Sequence, residues 1–175
     1  AQTDVALTKA ESLVRDVPNF QLAQLVYGDL LMARTQPLPI MGNAPATLVG
    51  KAQDRLAQLR LEANRRLTAL RDRPPVGALP AQFIALPPTT RHAIAVDVSR
   101  SRLYLFENGP DGLRLIADHY ASIGKLGPEK SFEGDQRTPL GVYYITSRLN
   151  ASQLTDFYGA GALPPHYPNA SDRRL

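Results

Sequence analysis

The feature that most constrains the fold is a proline-rich segment near the middle of the chain, where the spacing of apolar residues changes. Five prolines fall within residues 74–90: Pro74, Pro75, Pro80, Pro87 and Pro88. This composition is typical of a linker. Apolar residues recur at helical spacing before the segment and at strand spacing after it. The sequence therefore predicts an α+β protein with a helical N-terminal region at 1–73, a linker at 74–90 and a mostly antiparallel β domain at 91–175.

Three helices are predicted in the N-terminal region. The first stops at Pro18, and Asn19 is a candidate N-cap for the second. Prolines and a glycine break residues 35–45, which predicts a loop before a third helix over about residues 47–72. Within the linker we expect Phe83, Ile84 and Leu86 to hold the chain against a surface and keep it ordered.

The third predicted helix has a basic face. Its members are Lys51, Arg55, Arg60, Arg65, Arg66 and Arg71. Such a face could follow the phosphates of a nucleic acid. No aromatic residues interleave the arginines, so a solvated helix face is favoured, and we expect no nucleic-acid partner. A helical arm that touches an anionic wall polymer is a third interpretation.

Composition excludes several classes of function. The chain has 175 residues, a formal net charge of +4 and no cysteine, so disulfides, thiolate metal sites and thiol nucleophiles are absent from these residues. No apolar run approaches the roughly 20 residues that span a bilayer. The opening residues, 1–4, suit a mature chain whose signal peptide has been removed.

The C-terminal half predicts four strands joined by turns. Residues 92–98 and 102–107 flank a Ser-Arg-Ser turn, and residues 113–123 follow a glycine-rich turn. The fourth strand is predicted over residues 142–145, directly after a polar loop with Gly134, Pro139 and Gly141. Gly134 is free to take a positive φ there. A tight turn before an ordinary strand is the alternative interpretation of this stretch.

Three ordered blocks carry a resemblance to a known family. Gly134, Thr138, Pro139, Gly141 and Tyr143 follow the pattern G-x-x-x-T-P-x-G-x-[FY]. Residues 95–106 resemble an opening β-hairpin, and residues 158–162 with 167–174 resemble the loop before an active site. Together these blocks resemble the first part of the YkuD-type L,D-transpeptidase catalytic domain.

The resemblance implies a chemistry and a location. In that family a Cys thiolate attacks the peptide carbonyl before a terminal D-alanine of a peptidoglycan stem, a His acts as base, and backbone amides hold the oxyanion. An amine of a second stem, a wall-bound lipoprotein or water then resolves the acyl-enzyme. The resemblance implies peptidoglycan stem peptides as partners, with such a lipoprotein as an alternative acceptor. A periplasmic or cell-envelope location follows, with no cofactor and no metal.

The resemblance assigns roles to residues only where the motif matches. No residue matches the family's S-H-G-C-[IV]-R motif, so no catalytic residue is assigned, and the catalytic Cys and His are expected beyond Leu175. The chain alone is then expected to be inactive, as part of a longer enzyme. Gly134, Thr138, Pro139, Gly141 and Tyr143 are assigned to the scaffold. The expected walls of the substrate cleft are Tyr158, His166, Tyr167 and Asn169.

The sequence does not support the other site patterns that we considered. Residues 124–131 fail the phosphate-loop order G-x-x-x-x-G-K-[ST], and no G-x-S-x-G elbow is present. His92, His119 and His166 lack metal-ligand spacing. Asp135 and Glu133 are expected to be solvated loop carboxylates. A hydrolase on the same scaffold and a non-catalytic wall-binding module remain alternatives to the transpeptidase, and a nucleic-acid binder ranks below both.

Overall fold

The computed structural model of the chain describes residues 2–45, 47–83, 85–155 and 158–174, without the side chain of residue 174. The helices are α1 (Gln2–Asp16), α2 (Gln21–Met32) and α3 (Lys51–Arg71). The longer strands are β1 (His92–Asp97), β2 (Arg102–Gly109) and β3 (Gly112–Tyr120). Two short strands follow, β4 (Leu149–Asn150) and β5 (Gly161–Ala162). The predicted α+β class is confirmed.

The chain divides into two compact units, Ala1–Ala121 and Ser122–Leu175. The helices and the three longer strands lie in the first unit. The second unit contains the short pair β4–β5 and the T-P-x-G segment. The predicted division at residues 1–73, 74–90 and 91–175 concerns how the chain folds, and it stays a prediction.

The three longer strands form an antiparallel sheet in the order β1-β2-β3. Asp97 is opposite Arg102 in the first pair, and Arg102 is opposite Tyr120 in the second. A bulge interrupts the second pair between Leu105 and Phe106. The antiparallel pairing of β1 with β2 confirms the predicted hairpin and its Ser-Arg-Ser turn. Short turns between sequential strands favour this arrangement.

Helix α3 lies against the sheet through its arginine contacts and its small residues. Ala69 is 1% exposed, and its carbonyl accepts a 2.6 Å hydrogen bond from buried Arg102. Arg102 also pairs with Asp118, and the guanidinium of Arg66 lies 4.4 Å from the ring centroid of Tyr120. The helical region and the sheet of the first unit therefore share one set of buried contacts.

The proline-rich segment is anchored on β2, as expected. The ring of Phe83 meets that of Phe106 edge-on, with centroids 5.7 Å apart, and Phe106 is 2% exposed. The side-chain amide of Asn108 donates to the carbonyls of Pro87 and Thr90 at 3.2 and 3.0 Å. The expected contribution of Ile84 falls outside the described residues.

The prediction that Asn19 caps α2 is wrong. The N-cap is Phe20, whose carbonyl accepts the amides of Ala23 and Gln24 at 3.0 and 3.2 Å. No side chain caps this end of the helix. The guanidinium of Arg66 lies 5.1 Å from the Phe20 ring centroid. This tertiary contact fixes Phe20 at the start of the helix, which local capping propensity does not foresee.

The strand predicted over residues 142–145 is also wrong. Ile145 forms a single isolated bridge with Pro165, and Val142 and Tyr144 are 73% and 74% exposed. Pro164 and Pro165 lie on the facing segment, and proline has no amide proton to donate to a ladder. The pairing therefore stops at a few bonds, among them the 2.9 Å bond from the amide of Thr146 to the carbonyl of Pro164.

Candidate functional site

The T-P-x-G segment is held by hydrogen bonds to the loop that precedes it. The Thr138 hydroxyl accepts the amide of Gly124 at 2.7 Å, and the Thr138 amide donates to the carbonyl of Gly127 at 2.9 Å. A Cβ atom at Gly124 would lie 2.4 Å from the carbonyl oxygen of Gln136, so only glycine fits there. Thr138 thus joins two backbone segments, which is a scaffold position for this motif residue.

Asp135 organises the loop before the motif, and the expectation that it is solvated is wrong. It is 9% exposed, and its carboxylate accepts from the Lys130 ammonium at 2.8 Å. The carboxylate also accepts the amides of Ser131, Phe132 and Arg137 at 2.7, 3.2 and 3.0 Å. Burial alone would raise the pKa of Asp135, but these hydrogen bonds stabilise the carboxylate and set its pKa well below the usual value. Gly134, with φ +86°, makes the turn into this residue.

Tyr143 connects the motif to the end of the second unit. Its hydroxyl donates to Oδ1 of Asp172 at 2.9 Å and lies 3.2 Å from the carbonyl oxygen of Leu140. Burial, followed by the hydrogen bond to Asp172, raises the pKa of Tyr143 to about 12. A Cβ atom at Gly141 would lie 2.8 Å from the Tyr143 hydroxyl. The glycine of the motif therefore makes room for its own tyrosine.

His166 and Tyr167 form an aromatic cluster with Tyr143 and Tyr144. The ring centroid of His166 lies 6.1 Å from that of Tyr143 and 5.4 Å from that of Tyr144. The ring centroid of Tyr167 lies 6.1 Å from that of Tyr143. Nδ1 of His166 accepts the amide of Tyr144 at 2.9 Å. An accepting Nδ1 places the proton of the neutral ring on Nε2, which leaves His166 able to donate one hydrogen bond from its other nitrogen.

Asn169 uses its side chain to shape a turn. Nδ2 donates to the carbonyl of Val142 at 3.1 Å, and Oδ1 accepts the amides of Ser171 and Asp172 at 2.7 and 3.1 Å. The amide of Asn169 donates to Asp172 at 2.7 Å. These bonds place Asn169 beside the motif, and a direct contact with substrate stays a prediction.

Tyr158 is not among the residues that these contacts join. Its amide donates to the carbonyl of Thr155 at 3.0 Å, and the residue is 56% exposed. These contacts thus bring together Tyr143, His166, Tyr167 and Asn169, and Tyr158 lies in a local turn with Thr155.

Sequence reasoning placed Asp172 in the loop before the active site without giving it a role, and it did not connect Lys130 with this region. Asp172 lies 29 residues after Tyr143 along the chain, a separation for which no local spacing rule exists. The Lys130 ammonium lies 5.8 Å from the Tyr167 ring centroid and so touches both the Asp135 loop and the aromatic cluster. Among the residues that the structure describes, no group of three or more metal-ligating side chains is present.

Residues 91–174 match the model of the YkuD family, the L,D-transpeptidase catalytic domain. The resemblance carried by the T-P-x-G motif is therefore confirmed for residues 91–174.

Bd1075 from Bdellovibrio bacteriovorus, a protein of solved structure, is similar to 48% of this chain, with 32% sequence identity and a TM-score of 0.39. The chain spans 29% of the length of that protein. A search of curated proteins gives no match. No helix in the described ranges is long and apolar enough to cross a membrane.

Proposed function

We propose that residues 91–174 supply scaffold and cleft wall to an L,D-transpeptidase that acts on peptidoglycan stem peptides in the cell envelope. The match to the L,D-transpeptidase catalytic domain over these residues is the observation that carries the proposal. The scaffold arrangement of Thr138 and Tyr143 supports it, because Thr138 ties the motif to the backbone of Gly124 and Tyr143 ties it to the carboxylate of Asp172.

The reaction proceeds through a cysteine acyl-enzyme. A thiolate attacks the carbonyl carbon before the terminal D-alanine, a thioester forms, and D-alanine leaves as the amine. An amine of an acceptor stem then attacks the thioester, forms a new amide and releases the thiolate. The 175 residues contain no cysteine, so the proposal requires that the nucleophile come from sequence outside them.

The described residues contribute binding and orientation. His166 can donate from Nε2 to a stem carbonyl, since its Nδ1 is occupied by the amide of Tyr144. The ring of Tyr167 offers a flat apolar surface to alanine methyl groups. Asp172 holds the hydroxyl of Tyr143, which fixes the ring against which His166 and Tyr167 are arranged.

The experiment compares the gene product that carries these residues with the 175-residue chain, using a disaccharide-tetrapeptide as substrate. We expect the gene product to release D-alanine, and we expect iodoacetamide to abolish that release. The chain alone should release none. Release that survives alkylation would contradict the cysteine mechanism.

The same assay separates the alternatives. Cross-linked product in the presence of an acceptor stem marks a transpeptidase, whereas shortened stems without cross-links mark a hydrolase. If the gene product, with its thiols kept reduced, binds the disaccharide-tetrapeptide but releases no D-alanine, the result would contradict an enzyme and favour a wall-binding module.

A further inference from the structure

A cleft in the first unit is formed by residues that all carry a polar group at the end of their side chains. It has a volume of about 180 Å³ and lies between α3 and the turn that joins β1 to β2. The residues that line it are Asn64, Arg65, Thr68, Ser99, Arg100 and Ser101. These include two guanidinium groups, three hydroxyls and one amide, with no carboxylate among them. A set of donors without acidic side chains favours an anion.

Two of these side chains are at least half enclosed and lack a partner. Ser101 is 6% exposed, and its amide and carbonyl both make backbone hydrogen bonds, to Val98 and from Ala121. Its hydroxyl makes no hydrogen bond to any residue that the structure describes, so it is available to a ligand in the cleft. Arg65 is half-buried and, within the same ranges, forms no ion pair or hydrogen bond.

Three of the other arginines of α3, Arg55, Arg60 and Arg66, have partners within the structure. Arg60 donates to the carbonyls of Met41 and Gly42 at 2.9 and 3.1 Å, and Arg66 pairs with Glu62 at 2.9 Å. The predicted solvated basic face is thus partly a packing face. Arg65 projects its charge into the cleft without such a structural partner.

The local charge indicates a singly charged ligand. Arg100 pairs with Asp97 at 2.8 Å, and the Ser99 hydroxyl donates to the same carboxylate at 2.6 Å. Asp97, with a smaller contribution from Asp72, therefore offsets the charge of Arg100, whereas Arg65 forms no ion pair in the described part of the chain. A monoanion would match this charge, whereas a dianion would exceed it.

We propose that this cleft binds a phosphodiester. The guanidinium of Arg65 takes the two non-ester oxygens in bidentate fashion, and the Ser101 hydroxyl donates to one of them from the opposite wall. A phosphodiester is tetrahedral and singly charged, so its oxygens can meet donors on two walls. The volume of about 180 Å³ leaves room for the ester substituents. The proposal is independent of the acyl-transfer reaction.

The test is an NMR titration of the 175-residue chain with dimethyl phosphate, and with acetate at equal ionic strength. We expect saturable shifts of the backbone amides of residues 64–68 and 99–101 with dimethyl phosphate at millimolar concentration. Acetate should bind about tenfold more weakly, since its planar group cannot meet both walls. Equal binding of acetate, or the absence of saturable shifts, would overturn the proposal.

Variants separate this site from general charge attraction. Arg65→Gln and Ser101→Ala should each weaken binding about tenfold or more without changing the melting temperature substantially. Lys51→Gln removes the same charge from the same helix about 21 Å away, at 1.5 Å per residue, and should leave binding unchanged. Equal losses in Arg65→Gln and Lys51→Gln would contradict a defined site.

The source of the phosphodiester is decided by two further probes. Glycerophosphoglycerol is soluble, whereas phosphatidylglycerol vesicles present the same group on a membrane. Binding of the soluble compound that Arg65→Gln abolishes supports a free ligand, and binding confined to the vesicles with the same dependence on Arg65 supports a lipid headgroup. Failure of both probes would overturn the proposal.

Discussion

Each of the two compact units is stabilised internally by a different kind of interaction. The buried apolar residues among those described all lie in the first unit: Ala10, Leu22, Ala23, Ala63, Ala69, Tyr104 and Phe106. The buried residue described in the second unit is a carboxylate, Asp135. Apolar burial stabilises the first unit, whereas hydrogen bonds from side chains to backbone order the second, whose short chain has little core to bury.

The comparison teaches what each unit can tolerate. Several large apolar residues of the second unit are exposed to half or more of their surface, among them Phe132, Leu140, Val142, Tyr144, Ile145 and Leu163. Their truncation should cost little in this chain. Loss of a polar side chain such as Asp135 should cost more, because it would leave several donors without an acceptor.

The largest expected effect is at the core of the first unit. Phe106→Ala removes a ring that is 2% exposed and contacts Phe83, and it should lower the free energy of unfolding by about 3–5 kcal/mol. Phe132→Ala is the matched control, since that ring is 67% exposed and its loss should cost no more than about 0.5 kcal/mol. Chemical denaturation measures both. Equal losses of unfolding free energy in the two variants would contradict the claim that apolar burial stabilises the first unit more than the second.

The next effect is confined to the second unit. Asp135→Ala removes the acceptor for the Lys130 ammonium and for three backbone amides. The amides of residues 131–137 should then exchange with solvent roughly a hundredfold faster. Glu133→Ala removes an exposed carboxylate from the same loop and should leave exchange unchanged. Slower or unchanged exchange in Asp135→Ala would show that the loop is ordered by something else.

Acid should weaken the same loop. The folded pKa of Asp135 is below its ordinary value of 3.8, so its stabilising contribution is fully present above that pH. The contribution is lost as the pH falls from 3.8 toward the folded pKa. Amide exchange over residues 131–137 should therefore accelerate, relative to its intrinsic pH dependence, below about pH 4. Asp135→Asn should flatten that dependence, and an identical acid profile in both proteins would contradict the role of the carboxylate.

The smallest effect concerns the link between the motif and Asp172. Tyr143→Phe removes one hydrogen bond to a carboxylate and should cost about 1 kcal/mol. Tyr144→Phe is the control, because that residue is 74% exposed and its hydroxyl has no hydrogen-bond partner in the described part of the chain. Local stability can be followed by exchange of the amides of residues 169–173.

The phenol of Tyr143 offers a second measurement at high pH. Its pKa of about 12 exceeds the ordinary 10.0, so the stabilisation it provides is complete below pH 10 and declines as the pH rises toward 12. In an absorbance titration, Tyr143→Phe should remove one phenol that ionises near pH 12, where burial and Glu62 also place the pKa of Tyr120. Loss of a phenol that titrates near 10 instead would contradict the bond to Asp172.

The sequence was most informative where structure depends on local pattern. Alternating apolar residues and a short turn predicted β1 and β2, and Gly134 was expected at a positive φ. The predicted third helix overlaps α3, in which Leu67 and Leu70 are nevertheless more than half exposed. The spacing of apolar residues and the residue types in the turns were therefore enough to predict this helix and this hairpin.

Prediction failed where distant residues decide the outcome. Residues 142–145 have strand composition, but their neighbours Pro164 and Pro165 cannot complete a ladder. Phe20 replaced Asn19 as the N-cap beside Arg66 of another helix. The contact of Tyr143 with Asp172 depends on folding of the whole loop between them. Composition alone contains none of these pairings.

The measurement that tests the proposed function most directly is an NMR titration of the 175-residue chain with a disaccharide-tetrapeptide from peptidoglycan. We predict saturable shifts at His166, Tyr167 and the residues around Tyr143, with little change at the Arg65 cleft. Shifts that are absent, or that fall mainly within residues 1–121, would contradict the assignment of the second unit as the wall of the substrate cleft.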